Sequence, residues 1–317
     1  MKEKGWKLRK PGKRKEYSRI DEIKIESAPD TLVEGCLALE GGAFRGVYTS
    51  GVLDCLMKEG INLQTTVGVS AGALNGLNYT AGLVGRSAIC NLKYRHDSRW
   101  VGIQAVRTDR GIVGFEFLFT DFEKQYPFAY DRFFRGDRRF VAVATNLESG
   151  KEEYFDNLKP FDDRIFKAVR ASASMPFVSK SVEIDGKRYL DGGCATKLPI
   201  RWALAGNFSK IVFVATREPS YRREEKEKSG LLDRGFYRRY PNFVEALRNM
   251  NRRYNEDCDL IDSLVAEGKI FRIAPSVPVS VSRMEGDMEK LGELYRLGYG
   301  DAERLLPALK AYLGLDS

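Results

Sequence analysis

The apolar and polar positions along the chain alternate short apolar runs with helix-spaced segments. Cys36-Leu37-Ala38-Leu39-Glu40 is apolar up to its last residue, the pattern of a short buried strand. It leads through Gly41-Gly42-Ala43-Phe44-Arg45-Gly46 into a helical stretch from Val47 to Met57. A β-rich stretch ending in Thr65-Thr66-Val67 gives way to a helix-forming run that begins Ala71-Gly72-Ala73-Leu74. Val182-Glu183-Ile184 and Arg188-Tyr189-Leu190 alternate around Asp185-Gly186, which predicts a β-hairpin with Asp191 at the far end of its second strand. Lys210 to Thr216 reads as a further sheet strand, and Phe243, Leu247 and Met250 carry amphipathic helical spacing. A last strand is expected near Lys269 to Ala274, and a helix punctuated by glycines from about Met288 to Leu313. Strands alternating with helices predict an α/β fold, its sheet covered on both faces.

The candidate chemistry lies at the boundaries of these elements. Gly68-Val69-Ser70-Ala71-Gly72 puts a serine at a strand-to-helix turn, with small flanking residues that permit a strained backbone and a helix N-terminus behind it to stabilise negative charge. That is the pattern of a nucleophile elbow around Ser70, with Gly68 and Gly72 as its glycines. The loop Gly41 to Gly46 precedes a helix, so its backbone N–H groups can face an anion. Asp191-Gly192-Gly193 supplies an acid at a strand end, followed by two glycines that allow a sharp turn. Each motif also has a plain reading. The glycine loop could hold a nucleotide phosphate, but it lacks the Gly-Lys-Ser/Thr ending of a P-loop and departs from G-x-G-x-x-G. Ser70 could be a helix N-cap, and Asp191-Gly192 a hairpin turn, although Asp185-Gly186 already fills that role.

A serine hydrolase of the usual kind needs a histidine as base. The single histidine, His96, precedes the candidate acid and sits in the charged run Lys93-Tyr94-Arg95-His96-Asp97-Ser98-Arg99, which reads as a solvated loop or helix end. The simpler account is a Ser70–Asp191 dyad. In it Ser70 attacks an ester carbonyl, Asp191 accepts its proton, and backbone donors around Gly42 and Ala43 hold the oxyanion, with Arg45 fixing the loop or adding positive charge.

The ordered set Gly41-Gly42-x-x-Arg45-Gly46, Gly68-x-Ser70-x-Gly72 and Asp191-Gly192-Gly193 resembles the patatin-like phospholipase family, in its bacterial branch, over about residues 35 to 215. Val141 to Asn146 resembles the family's central strand, and Arg170 to Pro176 the helix end before the acid-bearing hairpin. The resemblance implies a three-layer α/β/α sandwich with a mostly parallel central sheet and extra C-terminal helices. It also implies an oxyanion hole from Gly41, Gly42, Ala43, Arg45 and Gly46, an acid motif completed by Gly192 and Gly193, and hydrolysis of lipid or other carboxylic esters without a cofactor. Ala43 departs from the glycine that many members have at the third position of the loop. Its N–H survives, but a positive φ there would cost about 1 kcal/mol.

Composition sets the remaining expectations. With 317 residues and 43% hydrophobic content the chain can bury a full α/β core. The expected organisation is a basic extension over 1–30, a catalytic core over 31–216, and a part over 217–317 that completes the same domain. Residues 217–258 read either as a lid or membrane-touching flap, or as a helical layer on the sheet. Five cysteines without metal-ligand spacing fit reduced thiols in a cytoplasmic protein, and one histidine argues against zinc. The net charge of +8 and the basic run from Lys2 to Lys15 favour peripheral contact with an anionic lipid leaflet; nucleic acid is the competing partner, without a recognised binding signature. No apolar run reaches the length of a membrane span. Two alternatives share the motifs: an acyltransferase working through the same acyl-serine, and a silent membrane-surface binding protein that keeps the fold.

Overall fold

The computed structural model describes residues 15–159, 162–225 and 235–315. Most of the basic N-terminal run and residues 226–234 of the charged segment lie outside the described residues. The central sheet is built from β1 (Val33–Leu39), β2 (Leu63–Val69), β3 (Arg139–Asn146), β4 (Glu152–Asp156), β5 (Val182–Ile184), β6 (Lys187–Asp191), β7 (Ile211–Val214) and β8 (Phe271–Ile273). Its order is β8-β7-β1-β2-β3-β6-β5, with β4 paired to β3. Neighbours from β8 across to β3 are parallel, and β4, β5 and β6 join antiparallel.

Alternation within the buried strands makes the layers. Leu37, Leu39, Ala142, Ala144, Val212 and Val214 face one core, while Cys36, Ala38, Val141, Val143, Ile211 and Phe213 face the other. On the first face lie helices α1 (Gly46–Lys58), α2 (Ala71–Thr80), α3 (Arg86–Tyr94), α4 (Arg164–Ser172) and α7 (Met288–Leu313). On the second lie α5 (Ile200–Ala205) and α6 (Pro241–Ala266), through Ile200, Ala203, Tyr254, Ile261 and Leu264. The fold is thus three-layered with a mostly parallel sheet, as the family resemblance implies, and the sheet is covered on both faces, as the pattern predicts. The expected strand at Thr65 to Val67 runs two residues further, to Val69, and the Asp185-Gly186 turn has φ of 50° and 76°, both positive as a two-residue hairpin turn requires. Among the described residues no helix is long and apolar enough to cross a membrane. The five cysteines are unpaired.

α1 lies between the sheet and α7, and it buries a carboxylate. Asp54 accepts hydrogen bonds from the Gly85 N–H (2.8 Å) and the Tyr295 hydroxyl (3.0 Å), and burial raises its pKa from 3.8 to about 7. The folded state therefore holds the proton more tightly than the unfolded chain. The resulting stabilisation is complete below about pH 4 and is lost as pH rises through about 7. Thermal melts between pH 4 and 8 should show this decline, and Asp54→Asn, which keeps both contacts without the charge, should flatten it. An unchanged slope in that variant would remove Asp54 as its source.

Candidate active site

Ser70 sits one residue beyond β2, at the carboxyl end of the parallel strands, where open α/β sheets place their ligand crevices. Its backbone has φ 54° and ψ −119°, a conformation that costs a non-glycine residue on the order of 1–3 kcal/mol. The surroundings hold it there. The Ser70 N–H donates to Ser172 Oγ (2.8 Å), and its carbonyl accepts from the Ala73 and Leu74 N–H groups at the start of α2. The turn leaves no room for flanking side chains: a Cβ at Gly68 would lie 2.5 Å from the Gly72 carbonyl, and one at Gly72 would lie 2.5 Å from the Leu39 oxygen.

Sheet register brings Asp191 to this serine across 121 residues of sequence. β2 pairs with β3 up to Val69↔Val143, and the next residue of β3, Ala144, pairs with Asp191 of β6. Because β4 occupies the opposite edge of β3 from Val141 to Thr145, β2 and β6 share one edge, end to end. Ser70 Oγ donates to Asp191 Oδ2 at 2.8 Å. The other carboxylate oxygen accepts the Gly193 N–H (2.7 Å), and the Thr145 hydroxyl donates to the Asp191 carbonyl (2.9 Å). Burial raises the Asp191 pKa above the ordinary carboxylate value, with Lys197 the strongest influence in the other direction.

The glycine loop closes on the same point. A Cβ at Gly41 would stand 3.2 Å from Ser70 Cβ. Ala43 has φ 50°, so the alanine carries the strain expected of a side chain at this position. The loop residues divide by what their N–H groups already do. Gly41 donates to the Lys197 carbonyl, Arg45 to Gly42, and Gly46 to Ala43 and Phe44. Among the described residues only Gly42 and Ala43 of these five keep an N–H without an acceptor. Of the set read from the sequence, the Gly41 N–H is thus taken by the Lys197 carbonyl, and those of Arg45 and Gly46 by the loop itself. The Arg45 side chain is 5% exposed, and its Nε has no acceptor among the described residues.

A family model for patatin-like phospholipase matches residues 37–204, the span that holds the loop, Ser70 and Asp191. The chain belongs to the patatin-like phospholipase family. By family it is a lipid hydrolase. A second model, a domain of unknown function (DUF6363), matches residues 240–314, which contain α6, β8 and α7. The uncharacterized protein YjjU of Escherichia coli is 26% identical over 271 residues, 83% of this chain and 74% of YjjU. The probable lipid hydrolase 463L of Invertebrate iridescent virus 6 is 26% identical over 186 residues, 53% of this chain and 62% of its own length. Among solved structures, VipD from Legionella pneumophila aligns over 96% of this chain and 72% of its own, at 14% identity and a TM-score of 0.44.

In this patatin-like chain Ser70 stands where two cavities meet, with Ala43, Met175 and Met284 also common to both walls. The narrower, about 80 Å³, is mostly apolar, lined by Leu74, Trp100, Val101, Val113, Leu118 and Phe122, with Asn75, Asn78 and Arg86 also in its wall. The wider, about 460 Å³, opens past Asp191 toward Leu247, Met250 and Asn251 of α6. The amphipathic segment read as lid or layer thus does two things: Phe243 and Tyr254 are buried in cores, and the stretch between them walls the cavity. His96 lines neither cavity. It is exposed, with Nε2 2.9 Å from the Gly286 carbonyl oxygen.

Several residues at the site escape a sequence reading. Ser172, which orients the Ser70 backbone, falls inside the quoted Arg170 to Pro176 segment, but nothing in that segment marks its hydroxyl. Lys197 lies six residues past Asp191, its pKa lowered to about 8 first by burial and then by Arg223. Burial also lowers Arg45, to about 10, with Arg217 and Arg283 adding to the effect.

Proposed function

We propose that this protein is a serine acyl hydrolase of the phospholipase A type, acting on carboxylic esters of lipids through a Ser70–Asp191 dyad. The observation that carries the reading is the 2.8 Å hydrogen bond from Ser70 Oγ to a buried carboxylate at the end of the parallel strands. In this mechanism Asp191 takes the Ser70 proton as Oγ attacks the ester carbonyl, then passes it to the departing alkoxide. Its raised pKa makes it a stronger base than an ordinary carboxylate and moves the acid limb of kcat/KM upward with it. The Gly42 and Ala43 N–H groups receive the oxyanion, each such donor being worth about 3 kcal/mol in the transition state. Water, deprotonated by the same carboxylate, then releases the acid.

The apolar cavity beside Ser70 suits the acyl chain. Exposed Phe177 and Val178 in the wall of the wider cavity, with Phe236 packed edge-on to Phe177 at 5.8 Å, suit contact with a lipid surface. In this reading residues 31–216 form the catalytic core and 217–317 complete the same domain, since β8 extends the sheet and α6 walls the site. The unpaired thiols fit a cytoplasmic enzyme working at a membrane surface.

The test is intact-protein mass after incubation with a fluorophosphonate. One adduct on the wild-type protein and none on Ser70→Ala is expected. Folded wild-type protein that stays unlabelled, with and without lipid vesicles, would refute the activated serine.

A further inference from the structure

The wider cavity carries a charge imbalance that hydrolysis of an ester does not require. Among the described residues Arg45, Lys197, Arg223, Arg248 and Arg283 line it, against the single carboxylate of Asp191, which is engaged by Ser70 and Gly193. None of the five cations makes an ion pair or a side-chain hydrogen bond with any described residue. Other arginines nearby do have carboxylate partners: Arg222 pairs with Asp259 and Asp262, Arg201 with Asp257, and Arg272 with Asp262. Glu40, close to Arg45 and Arg223, is 1% exposed and is used by the Thr216 N–H and the Tyr254 hydroxyl. Arg223 stacks over the Tyr254 ring at 4.3 Å, and its buried Nε has no acceptor among the described residues.

Gathering like charges in a partly buried space without counter-charge costs free energy, and a bound anion removes that cost. Arg45 is the sharpest case, a buried guanidinium whose Nε lacks an acceptor within the described residues. Ser70 stands between this cationic cavity and the apolar one, so a substrate whose ester reaches Ser70 with its chain in the apolar cavity puts its other end among the cations.

Building on the acyl-hydrolase reading, we infer that the wide cavity is a head-group subsite selective for lipids of net negative charge. It takes the phosphate of an anionic glycerophospholipid in preference to zwitterionic or uncharged lipids. Arginine suits that role because its planar fork matches phosphate oxygens two at a time.

The experiment compares dihexanoyl phosphatidylglycerol with dihexanoyl phosphatidylcholine, both as monomers below their critical micelle concentrations, so that attraction of a +8 protein to a charged surface plays no part. The kcat/KM ratio should favour the anionic lipid about tenfold or more, and fall toward one in Arg223→Gln/Arg283→Gln. Using the ratio within each protein cancels any general loss of activity in the variant. A ratio near one in the wild type, or an unchanged ratio in the double variant, overturns the subsite. A ratio near one with inorganic phosphate inhibiting both substrates alike would assign the cations to free phosphate instead, and overturn it equally. Fluorophosphonate labelling separates the two levels: labelled Ser70 without selectivity sinks only this inference, whereas unlabelled Ser70 sinks the hydrolase reading beneath it.

Discussion

Asp191→Asn should keep its fold and lose about three orders of magnitude or more in turnover, the upper range for removal of a general base. Asparagine is isosteric, so its Oδ1 can still accept the Gly193 N–H and its amide still faces Ser70 Oγ. What disappears is the acceptor for the serine proton. Stability should move the other way. Burial raises the folded-state pKa of Asp191, so the wild type is penalised for holding the charge once pH exceeds that raised value. At pH 7 to 8 the neutral variant should therefore melt at or above the wild-type temperature. A dead enzyme that is at least as stable as its parent separates a chemical role from a structural one, since a scaffold residue would lose both together. Retained turnover in Asp191→Asn would return His96 to contention. His96→Ala is expected to be nearly neutral, because that imidazole is exposed and bonded to the Gly286 carbonyl.

The parts of the site visible in the sequence are those whose function is written into local backbone shape. An elbow needs small residues two positions either side of its serine, and Gly68 and Gly72 are small because their Cβ positions are filled by backbone. The loop before α1 and the turn after Asp191 are marked by glycines in the same way. The fold was legible for a related reason: β1, β3 and β7 are buried on both faces and leave apolar runs, while β2, interrupted by Gln64, Thr65 and Thr66, shows itself by β-branched residues. β4 was not legible, because Glu152-Glu153-Tyr154-Phe155-Asp156 is half-buried along its length and reads as polar. Nor were the Ser172 hydroxyl and the cations of the wide cavity. Arg45 is marked by its place in the glycine loop, but Lys197, Arg223 and Arg283 join it only through the fold, and each of those three looks in sequence like any solvated basic residue of a chain that has 52 of them. Which of a loop's N–H groups are free is also a tertiary property: Gly41 loses its donor to Lys197, more than 150 positions away.

Gly51→Ala should destabilise the protein by about 3 kcal/mol or more, although the substitution improves helix propensity by about 1 kcal/mol. The reason is a backbone contact between α1 and α7. A Cβ at Gly51 would lie 2.1 Å from the Tyr295 carbonyl oxygen, and one at Gly298 would lie 2.1 Å from the Tyr48 oxygen. Each helix thus gives up a side chain where the other's backbone passes. Hydrogen bonds flank the crossing, Tyr48 to Asp301 at 3.1 Å and Tyr295 to Asp54 at 3.0 Å, so the helices cannot separate without straining both. Gly300→Ala on α7 is the control, since nothing lies within 4 Å of a Cβ there; it should raise stability by roughly 0.5–1 kcal/mol. Opposite signs for two glycine-to-alanine changes, read from melting temperatures, isolate packing from propensity, and a stabilising Gly51→Ala would refute the close crossing. The consequence reaches the chemistry because α1 begins at Gly46, directly after the loop that offers the Gly42 and Ala43 N–H groups. Pushing α1 away from α7 shifts those donors relative to Ser70, and a displacement of about 1 Å can cost on the order of a hundredfold in rate. Gly51→Ala should therefore lose turnover even at temperatures where it remains folded, while Gly300→Ala keeps it.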